Sequence, residues 1–287
     1  MRLAIGIDIG GTNIRVASVT DQGKIIVIRK SLTPQTDEDI IAAIKHMIGL
    51  VDADHKAVAI GIGVPARVDV ANGQIFPGGF VDLSLSNLVS RMKMKFGNTI
   101  FIDNDASMAL LAEARMGSAK GISNVILLTI GTGIGGALMA GGKIFHGRAT
   151  AGQLGHMTVD INGLICQCGR VGCVETTSSG TALRRLLDAA GLPQNTLITD
   201  LLNSEDKVEK SILRAWALPL RSAIDSLVAA FDPELVVLGG GLGAAAVQAL
   251  ADFPVQSDWF QYNVVKARLG DDAGVIGSAL ASLEAAP

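Results

Sequence analysis

The sequence predicts an α/β protein built from two like-folded domains, each a mixed β-sheet with helices packed on it. Three observations support this prediction. The order strand, glycine turn, strand and hairpin occurs twice, around residues 3–28 and 125–146, which indicates an internal repeat. Segments with helical apolar spacing lie between and after the predicted strands. The 34 glycines among 287 residues are typical of many tight turns between strands and helices.

The first half of the chain begins with three predicted strands. Residues 3–9 form an apolar run closed by Gly10-Gly11, residues 13–20 alternate apolar and polar, and the turn 21–24 leads into a strand at 25–28. Turn residues between apolar runs are the usual signal of a hairpin.

Two α/β units follow in the first half. Residues 37–51 carry six apolar residues on one helical face, and a buried strand follows at 58–64. A helix at 88–96, a strand at 99–103 and a helix at 106–114 complete this half. The switch from a period of 3.6 residues to a continuous apolar run separates helix from strand.

The second half repeats this order. A strand at 125–130 runs into the glycine turn 131–136, and a second strand and a Gly141-Gly142 hairpin turn lead to residues 143–145. Later segments are helices at 180–190 and 207–231, a strand at 235–238 and a helix at 274–285. We therefore expect domains at 1–107 and 108–273, the first completed by residues 274–287 and the second holding a metal-binding loop at 153–175.

Composition and charge exclude several classes of protein. Hydrophobic residues are 49% and charged residues 18% of the chain, which favours a packed core over disorder. The net charge of −3 comes with no basic run, so no nucleic-acid partner is expected. The apolar runs are of strand length and the N-terminus lacks a signal-peptide layout, so we expect a cytoplasmic protein without a membrane partner.

The cysteines and one histidine have the spacing of a zinc site. Cys166, Cys168 and Cys173 are all the cysteines of the chain, and with His156 they form the pattern H-x9-C-x-C-x4-C. Three thiolates and one imidazole complete a tetrahedral zinc sphere, and a closed set of four ligands is typical of structural zinc. The alternatives are unrelated buried cysteines or a disulfide, but three cysteines cannot all pair. The sequence thus predicts a structural Zn²⁺ that holds a loop next to a binding site.

Glycine turns after strands are candidate phosphate sites. Backbone N–H groups in a turn of the type Gly10-Gly11-Thr12 can face an anion without a side chain in the way. Asp8, at the end of the preceding strand, could hold a magnesium ion through water. One such turn is a weak signal, but Gly131-Thr132-Gly133 repeats it in the second half. Gly240 and Gly241 either border a nucleoside or form a plain strand-to-helix turn, and the chain has no Walker A motif.

Asp105 follows a predicted strand, at the corner where a helix begins. Functional carboxylates on α/β scaffolds often occupy such a corner. Asp105 could therefore be a general base, or it could be the N-cap of the helix that starts at Ala106. Asp103 competes for the role of base.

Taken together, these motifs resemble the ROK family of repressors, open reading frames and sugar kinases. The motifs that carry the resemblance are Asp8-x-Gly10-Gly11-Thr12-x-x-Arg15, Asn104-Asp105-Ala106, Gly131-Thr132-Gly133-x-Gly135-Gly136 and the loop G-H-x9-C-x-C-G-x-x-G-C-x-E. The resemblance implies two RNase H-like, actin-like domains with ATP and sugar in the cleft between them. It also implies phosphorylation of a sugar hydroxyl, commonly the 6-hydroxyl, and a homodimer.

The resemblance also implies roles for individual residues. Asp105 matches the family's catalytic aspartate, which takes the role of general base. The sugar would contact Ala66, Arg67, Gly78, Gly79, Asn104, Gln153, His156 and Glu175. ATP and Mg²⁺ would contact Asp8, Gly10, Gly11, Thr12, Asn13, Arg15, Thr132, Gly133, Gly135, Gly240 and Gly241.

The chain departs from the family pattern at two places. Gln153 stands three residues before the zinc histidine, where the family has a glutamate, and Gly78-Gly79 lie where its kinases usually have an asparagine. An amide lacks the charge that strengthens hydrogen bonds to hydroxyls. Arg67 resembles a family position that contacts N-acyl sugars, although it could also form a surface salt bridge. Glucose, another hexose, an N-acyl amino sugar and a cyclitol all stay open, as do ATP and polyphosphate as donors.

Three other functions compete with a kinase. A ROK repressor carries a helix-turn-helix ahead of the nucleotide motif, and here that motif begins at Asp8. A non-catalytic sugar sensor would be consistent with Gln153, but it would have no need to keep Asp105 and both glycine turns. An actin-like structural protein would have no use for a zinc loop.

Overall fold

The structure is a computed structural model that describes residues 2–78, 81–97, 99–255 and 259–286. The chain forms two compact units. The first comprises Met1–Lys120, His146–Ala151 and Asp271–Pro287, and the second comprises Gly121–Phe145 and Gly152–Gly270. The division after Lys120 lies beyond the boundary expected at residue 107, because the helix that begins at Asp105 belongs wholly to the first unit.

The elements are numbered in chain order. The strands are β1 (Leu3–Ile9), β2 (Asn13–Thr20), β3 (Ile25–Leu32), β4 (Ala59–Val64), β5 (Val68–Asp69), β6 (Gln74–Ile75), β7 (Thr99–Asn104), β8 (Val125–Ile130), β9 (Ile134–Ala140), β10 (Lys143–Ile144), β11 (Leu235–Gly239) and β12 (Val264–Lys266). The helices are α1 (Asp37–Val51), α2 (Leu88–Phe96), α3 (Asp105–Met116), α4 (Glu175–Ser178), α5 (Gly180–Ala189), α6 (Ile198–Asn203), α7 (Lys207–Phe231), α8 (Gly243–Ala251) and α9 (Ala273–Ala285).

The two main sheets share one topology, which confirms the predicted repeat. In the described part of the chain, the first sheet has the order β3-β2-β1-β4-β7 and the second the order β10-β9-β8-β11-β12. In each sheet the first three strands are antiparallel and the last two run parallel to the central strand. Hairpins join the antiparallel strands, whereas the parallel strands need longer crossover connections. The α/β fold class with mixed sheets is thus confirmed.

Strand β1 shows how alternation assigns side chains to the two faces of the first sheet. Ile5, Ile7 and Ile9 pack in one core with the buried face of α1, whereas Ala4 packs in another core with α9. Because successive side chains of a strand point to opposite faces, Asp8 lies on the same face as Ala4. The last polar residue of β1 is therefore directed to the face that α9 covers.

Helix α9 lies directly on the backbone of the sheet. A Cβ atom on Gly6 would lie 1.8 Å from the carbonyl oxygen of Val275, and one on Gly61 would lie 1.7 Å from that of Ser278. Gly277 makes a similar approach to α3, since its Cβ would lie 1.8 Å from the carbonyl oxygen of Met108. Glycine is required at such close approaches because any side chain would clash. These contacts hold α9, α3 and the central strands of the first unit in one arrangement.

The second unit has its own core. Ile126, Leu128 and Ile130 of β8 pack with the long helix α7, whose Trp216 is fully buried. Among the described residues, no helix combines the length and the apolar character that crossing a bilayer requires.

Candidate active site

Asp8, at the end of β1, lies in a polar cluster of the first unit. Arg15 Nη1 is 3.4 Å from Asp8 Oδ2, and Arg15 also pairs with Asp271. A Cβ atom on Gly274 would lie 2.6 Å from Asp8 Cγ, so the first turn of α9 leaves room for the carboxylate only because it carries glycine there. Burial raises the pKa of Asp8 to about 6, although the Arg15 guanidinium acts in the opposite direction. Arg15 thus contacts Asp8 itself, which sequence reasoning did not foresee.

Asp105 is the first residue of α3 and is partly buried. Burial and the nearby charge of Asp8 raise the pKa of Asp105 to about 7. The backbone N–H of Ala106 donates to Asp105 Oδ1 at 2.8 Å and holds the carboxylate in place. A carboxylate with a pKa near neutrality can accept a proton during a reaction far better than an ordinary surface aspartate. Asp105 therefore has the chemistry of a general base.

Asn104 is the N-cap of α3. Its Oδ1 accepts hydrogen bonds from the backbone N–H groups of Ala106 at 3.0 Å and Ser107 at 3.3 Å. Its Nδ2 donates to the carbonyl oxygen of Ala66 at 3.2 Å. The cap role that the sequence left open for Asp105 therefore belongs to its neighbour. The same amide ties Ala66 to the Asn104-Asp105 corner, so three predicted site residues lie together.

Asp103 is held in a different way. Its side chain is buried, and Asp103 Oδ2 lies 2.7 Å from His146 Nε2 while Oδ1 accepts the Asn104 backbone N–H at 2.6 Å. The hydrogen bond to Asp103 raises the pKa of His146. Since both oxygens of Asp103 are engaged, this carboxylate is a poor alternative to Asp105 as the base. Sequence reasoning missed His146, because nothing near it in the sequence indicates its partner.

Arg67 and Gly78 belong to one loop region after β4. Arg67 Nη2 donates to the carbonyl oxygen of Pro77 at 2.9 Å, and the guanidinium lies 5.6 Å from the centroid of the Phe76 ring. Gly78 has φ of 104° and donates its N–H to Asp82 at 3.3 Å. Arg67 thus contacts a carbonyl and a ring, and it is positioned to shape the segment 76–78. Gly79 lies outside the described residues.

The first glycine turn joins β1 to β2. Gly10 donates its N–H to the carbonyl oxygen of Asn13 at 2.9 Å, and Thr33 Oγ1 donates to the carbonyl oxygen of Gly10 at 2.6 Å. Gly11 and Thr12 at its tip are exposed. A turn braced at its base with an exposed tip can present N–H groups to an anion.

The second glycine turn, residues 131–136, is braced by α5. Gly180 donates its N–H to the carbonyl oxygen of Gly131 at 2.8 Å, and Thr181 Oγ1 donates to that of Thr132 at 2.9 Å. Gly135 already lies in β9, where it pairs with Thr129. The exposed Thr132 and its neighbour Gly133 form the tip. The two glycine turns therefore occupy equivalent places in the two sheets.

Gly240 and Gly241 lie next to the second glycine turn. Gly240 has φ of 77°, and a Cβ atom there would lie 2.5 Å from the carbonyl oxygen of Ile130. The N–H of Leu242 donates to the same carbonyl at 2.9 Å. The structure therefore brings this turn against the end of β8, where the second glycine turn begins.

His156 and the three cysteines converge as predicted. Their ligand atoms lie within 4.8 Å of one another, with His156 Nδ1 3.5 Å from Cys166 Sγ and Cys168 Sγ 3.6 Å from Cys173 Sγ. Tetrahedral zinc with bonds of about 2.3 Å to sulfur and about 2.1 Å to nitrogen implies edges of about 3.8 Å and about 3.6 Å. All three cysteines are free thiols. The group is thus compatible with a structural zinc ion.

Backbone bonds bring the cysteines together. Thr158 pairs with Cys173 in an isolated bridge, Ile165 pairs with Val171, and the N–H of Cys166 donates to the carbonyl oxygen of Arg170 at 2.8 Å. Burial and the neighbouring thiols raise the pKa of Cys173 to about 12. Without a cation the Cys173 thiol stays protonated, and a bound metal would displace its proton.

Glu175 and Gln153 lie at the two ends of this loop. Glu175 Oε2 accepts the backbone N–H of Ile134 at 2.8 Å, and Oε1 is 3.9 Å from Cys166 Sγ. Gln153 is partly buried and precedes the short 3-10 turn Leu154–His156. The structure therefore brings the cysteine cluster, Glu175 and the second glycine turn together within the second unit.

The model of the ROK family matches residues 4–284.

The chain belongs to the ROK family.

Other members of the ROK family with known activities are similar to this chain over nearly their whole length. A glucokinase of Thermotoga maritima is 34% identical over 302 residues, which cover 96% of this chain and 95% of that protein. An N-acetylmannosamine kinase of Haemophilus influenzae is 28% identical over 289 residues, which cover 96% and 93%. The crystal structure of a ROK glucokinase from Streptomyces griseus in complex with glucose and AMPPNP superposes with a TM-score of 0.85. It is 30% identical and covers 98% of this chain and 99% of its own.

Proposed function

We propose that this ROK protein transfers the γ-phosphoryl group of ATP to a hydroxyl of a hexose or an N-acyl hexosamine. The proposed acceptor is the 6-hydroxyl, and the proposed general base is Asp105. The chain is an ATP-dependent carbohydrate kinase. The observation that supports the mechanism most directly is the position of Asp105 at the start of α3, where burial and the charge of Asp8 raise its pKa to about 7.

The reaction asks three things of the protein. Phosphoryl transfer needs an oriented hydroxyl, a base beside it and positive charge near the γ-phosphate. As the sugar oxygen forms its bond to phosphorus, Asp105 accepts the hydroxyl proton, and the bond between the γ-phosphorus and the bridging oxygen of ADP breaks. Asn104 orients the carboxylate from the neighbouring position because its amide caps the same helix. General-base help of this kind contributes about 10²–10⁴ in rate.

Asp8 is the residue that we propose to hold magnesium. Carboxylate oxygens and water are the ligands that Mg²⁺ prefers. Burial raises the pKa of Asp8 to about 6 although Arg15 lies beside it, and a divalent cation would stabilise the charged form of this carboxylate. Bound magnesium supplies the positive charge that phosphoryl transfer requires. A cation beside Asp8 would also remove one of the causes that raise the pKa of Asp105.

Zinc belongs to the same proposal as a structural ion. His156, Cys166, Cys168 and Cys173 would hold it, and two edges of the cluster, 3.5 Å and 3.6 Å, are close to those of tetrahedral coordination. His156 approaches Cys166 through Nδ1, which leaves Nε2 for another partner. Zinc histidines commonly donate this second N–H to an oxygen, and we propose a sugar hydroxyl for that role.

The substrate class is supported by relatives of two kinds, glucokinases and N-acetylmannosamine kinases. Gln153 stands where the family pattern has a glutamate. The proposed sugar contacts therefore lack one negative charge, and hydrogen bonds to sugar hydroxyls are weaker without it. The Arg67 guanidinium beside Pro77 and Phe76 supplies donors near the segment 76–78, where an acyl carbonyl could accept them. A site built on such polar contacts discriminates strongly between sugars.

The phosphoryl donor and the oligomeric state complete the proposal. The nucleotide in the Streptomyces griseus relative is AMPPNP, which supports ATP as the donor here, with polyphosphate as the alternative. The homodimer that the family resemblance implies is checked by sedimentation at several protein concentrations. This measurement needs only the purified protein.

The experiment is an assay of ADP release from ATP and Mg²⁺ across hexoses, N-acyl hexosamines, ketoses and cyclitols. Asp105→Asn is measured beside the wild type, and Asp54→Asn, which changes an exposed aspartate, is the matched control. We expect one sugar class to stimulate ADP release in the wild type and in Asp54→Asn, but not in Asp105→Asn. If no sugar of the panel stimulates ADP release in protein that binds nucleotide and zinc, the result would favour a sugar sensor.

A further inference from the structure

Both ends of the metal loop, defined here as residues 156–173, lie against the second glycine turn. Before the loop, a Cβ atom on Gly155 would lie 2.0 Å from the carbonyl oxygen of Ile134. A Cβ atom on Gly136 would lie 2.7 Å from Cβ of Leu154. Approaches this close require that the backbone of residues 154–155 lie directly on the start of β9.

After the metal loop, the chain returns to the same turn. Glu175 Oε2 accepts the Ile134 N–H at 2.8 Å, only two residues beyond Cys173. The start of α5 then bonds two carbonyl groups of the turn: the Gly180 N–H donates to Gly131 at 2.8 Å, and Thr181 Oγ1 donates to Thr132 at 2.9 Å. The turn is therefore held on one side by the residues before His156 and on the other by those after Cys173.

We infer that Glu175 is a positioning residue through which the metal loop organises the second glycine turn for the phosphates of the nucleotide. The inference rests on the proposed function, because it takes this turn to be a nucleotide site. Glu175 touches the metal loop through Cys166 and the turn through Ile134. Metal occupancy therefore sets nucleotide affinity, in addition to any effect on the sugar.

The physical basis is pre-organisation. A metal ion held by His156 and three cysteines links both ends of the loop and removes much of its conformational freedom. The residues on either side then hold the turn in one conformation before nucleotide arrives. Because the turn is already ordered, the binding energy of the nucleotide does not have to offset the entropy lost on ordering it. A turn released from Glu175 would have to be ordered by the nucleotide itself.

The test measures nucleotide binding without sugar, so it does not depend on turnover. ADP and AMPPNP are titrated calorimetrically into full-length protein as metal-loaded, metal-depleted and zinc-reloaded samples, with metal content and circular dichroism recorded for each. We expect depletion to raise the nucleotide Kd at least about tenfold, since one hydrogen bond to a charged group is worth that much or more. Reloading should restore the Kd.

Variants separate Glu175 from the metal itself. In metal-loaded protein, Glu175→Ala should raise the nucleotide Kd about as much as depletion does. Glu175→Gln should keep most of the affinity, because its amide oxygen can still accept the Ile134 N–H. Hydrogen exchange of the Ile134 amide should accelerate in Glu175→Ala and not in Glu175→Gln. Ile161→Ser is the control, because Ile161 is an exposed residue of the metal loop and is not one of the four candidate metal ligands.

The outcomes distinguish this inference from the proposed function. An unchanged nucleotide Kd in metal-depleted, folded protein and in Glu175→Ala would overturn the coupling and leave the kinase proposal intact. If depletion unfolds the protein, Glu175→Ala in metal-loaded protein decides the matter. A metal-loaded wild type that binds no nucleotide would overturn both.

Discussion

His146 Nε2 lies 2.7 Å from Asp103 Oδ2, and the other oxygen of Asp103 accepts the backbone N–H of Asn104 at 2.6 Å. The segment His146–Ala151 belongs to the first unit, although the chain on both sides of it belongs to the second. One buried carboxylate therefore ties this returning segment to the strand that ends at the proposed catalytic corner.

The pair predicts a stability that depends on pH. Asp103 raises the pKa of His146 above its ordinary value of 6.5. The stabilisation that this pair gives to the folded protein is therefore complete below the pKa of His146 in the unfolded chain. It is lost as pH rises through the pKa of His146 in the folded protein. His146→Ala should cost about 1–2 kcal/mol in acid and less at alkaline pH. Thermal unfolding at about pH 5.5 and about pH 9 checks this, with the exposed His46→Ala as control. Equal losses at both pH values would contradict it.

Asp105→Asn should abolish turnover and raise stability at the same time. Asp105 has a pKa of about 7 in the folded protein, well above its ordinary value of 3.8. Its protonated form contributes stability fully below pH 3.8, and that contribution is lost as pH rises through about 7. Asparagine does not ionise, so the variant should exceed the wild type in Tm by an amount that grows from acid to pH 8. A variant that is inactive and also less stable at pH 8 would indicate a structural role instead.

The pKa of Asp105 also predicts the pH dependence of activity. A general base must be unprotonated, so kcat/KM for ATP should rise with pH and level off above about 7. Because bound magnesium would offset the charge of Asp8, the limb of kcat at saturating ATP and Mg²⁺ should lie at lower pH than the limb of kcat/KM. Initial rates over a range of pH, in buffers of constant ionic strength, give both curves. Coincident limbs would argue against a magnesium site beside Asp8.

Gly274→Ala should weaken the magnesium site without unfolding the protein. The added Cβ would lie 2.6 Å from Asp8 Cγ, so the carboxylate must move. Gly49→Ala is a matched control, because Gly49 lies within α1 and has no heavy atom within 4 Å of its Cβ position. The control should gain up to about 1 kcal/mol from helix propensity and keep its activity. Gly274→Ala should need more Mg²⁺ for half-maximal rate, and an unchanged requirement would show that Asp8 does not hold the ion.

Arg67→Ala should change the choice of sugar more than the rate of transfer. The guanidinium donates to Pro77 beside the segment 76–78, so its loss removes donors that an acyl group could use. KM for N-acyl hexosamines should rise relative to KM for glucose, while kcat changes little. Steady-state kinetics with both sugars and the variants Arg67→Ala and Arg67→Lys test this. Parallel changes for both sugars would mean that Arg67 only supports the loop.

Regular elements could be predicted from the sequence because their signals are local. The helix 37–51 and the strand 125–130 have the predicted bounds, since their apolar periodicity and flanking turns lie in the elements themselves. The doubled order of strand, turn, strand and hairpin predicted two like sheets, and the strand orders agree.

Residues brought together from distant parts of the chain left no such signal. His146 pairs with Asp103 across 43 positions, and Gly274 makes room for Asp8 from the other end of the chain. The N-cap of α3 is Asn104 and not Asp105, the residue for which the sequence left this role open; both side chains suit a helix N-cap. The roles of Gln153 and Gly79 in sugar binding stay predictions.

The most direct test of the account is transfer of labelled γ-phosphate from ATP to a hexose or N-acyl hexosamine. The wild type and Asp105→Asn are compared after calorimetry has shown that both bind the sugar. The account predicts a labelled sugar phosphate from the wild type and a loss of at least about a hundredfold in Asp105→Asn. Equal transfer by both proteins, or none by metal-loaded wild type that binds ATP and sugar, would contradict it.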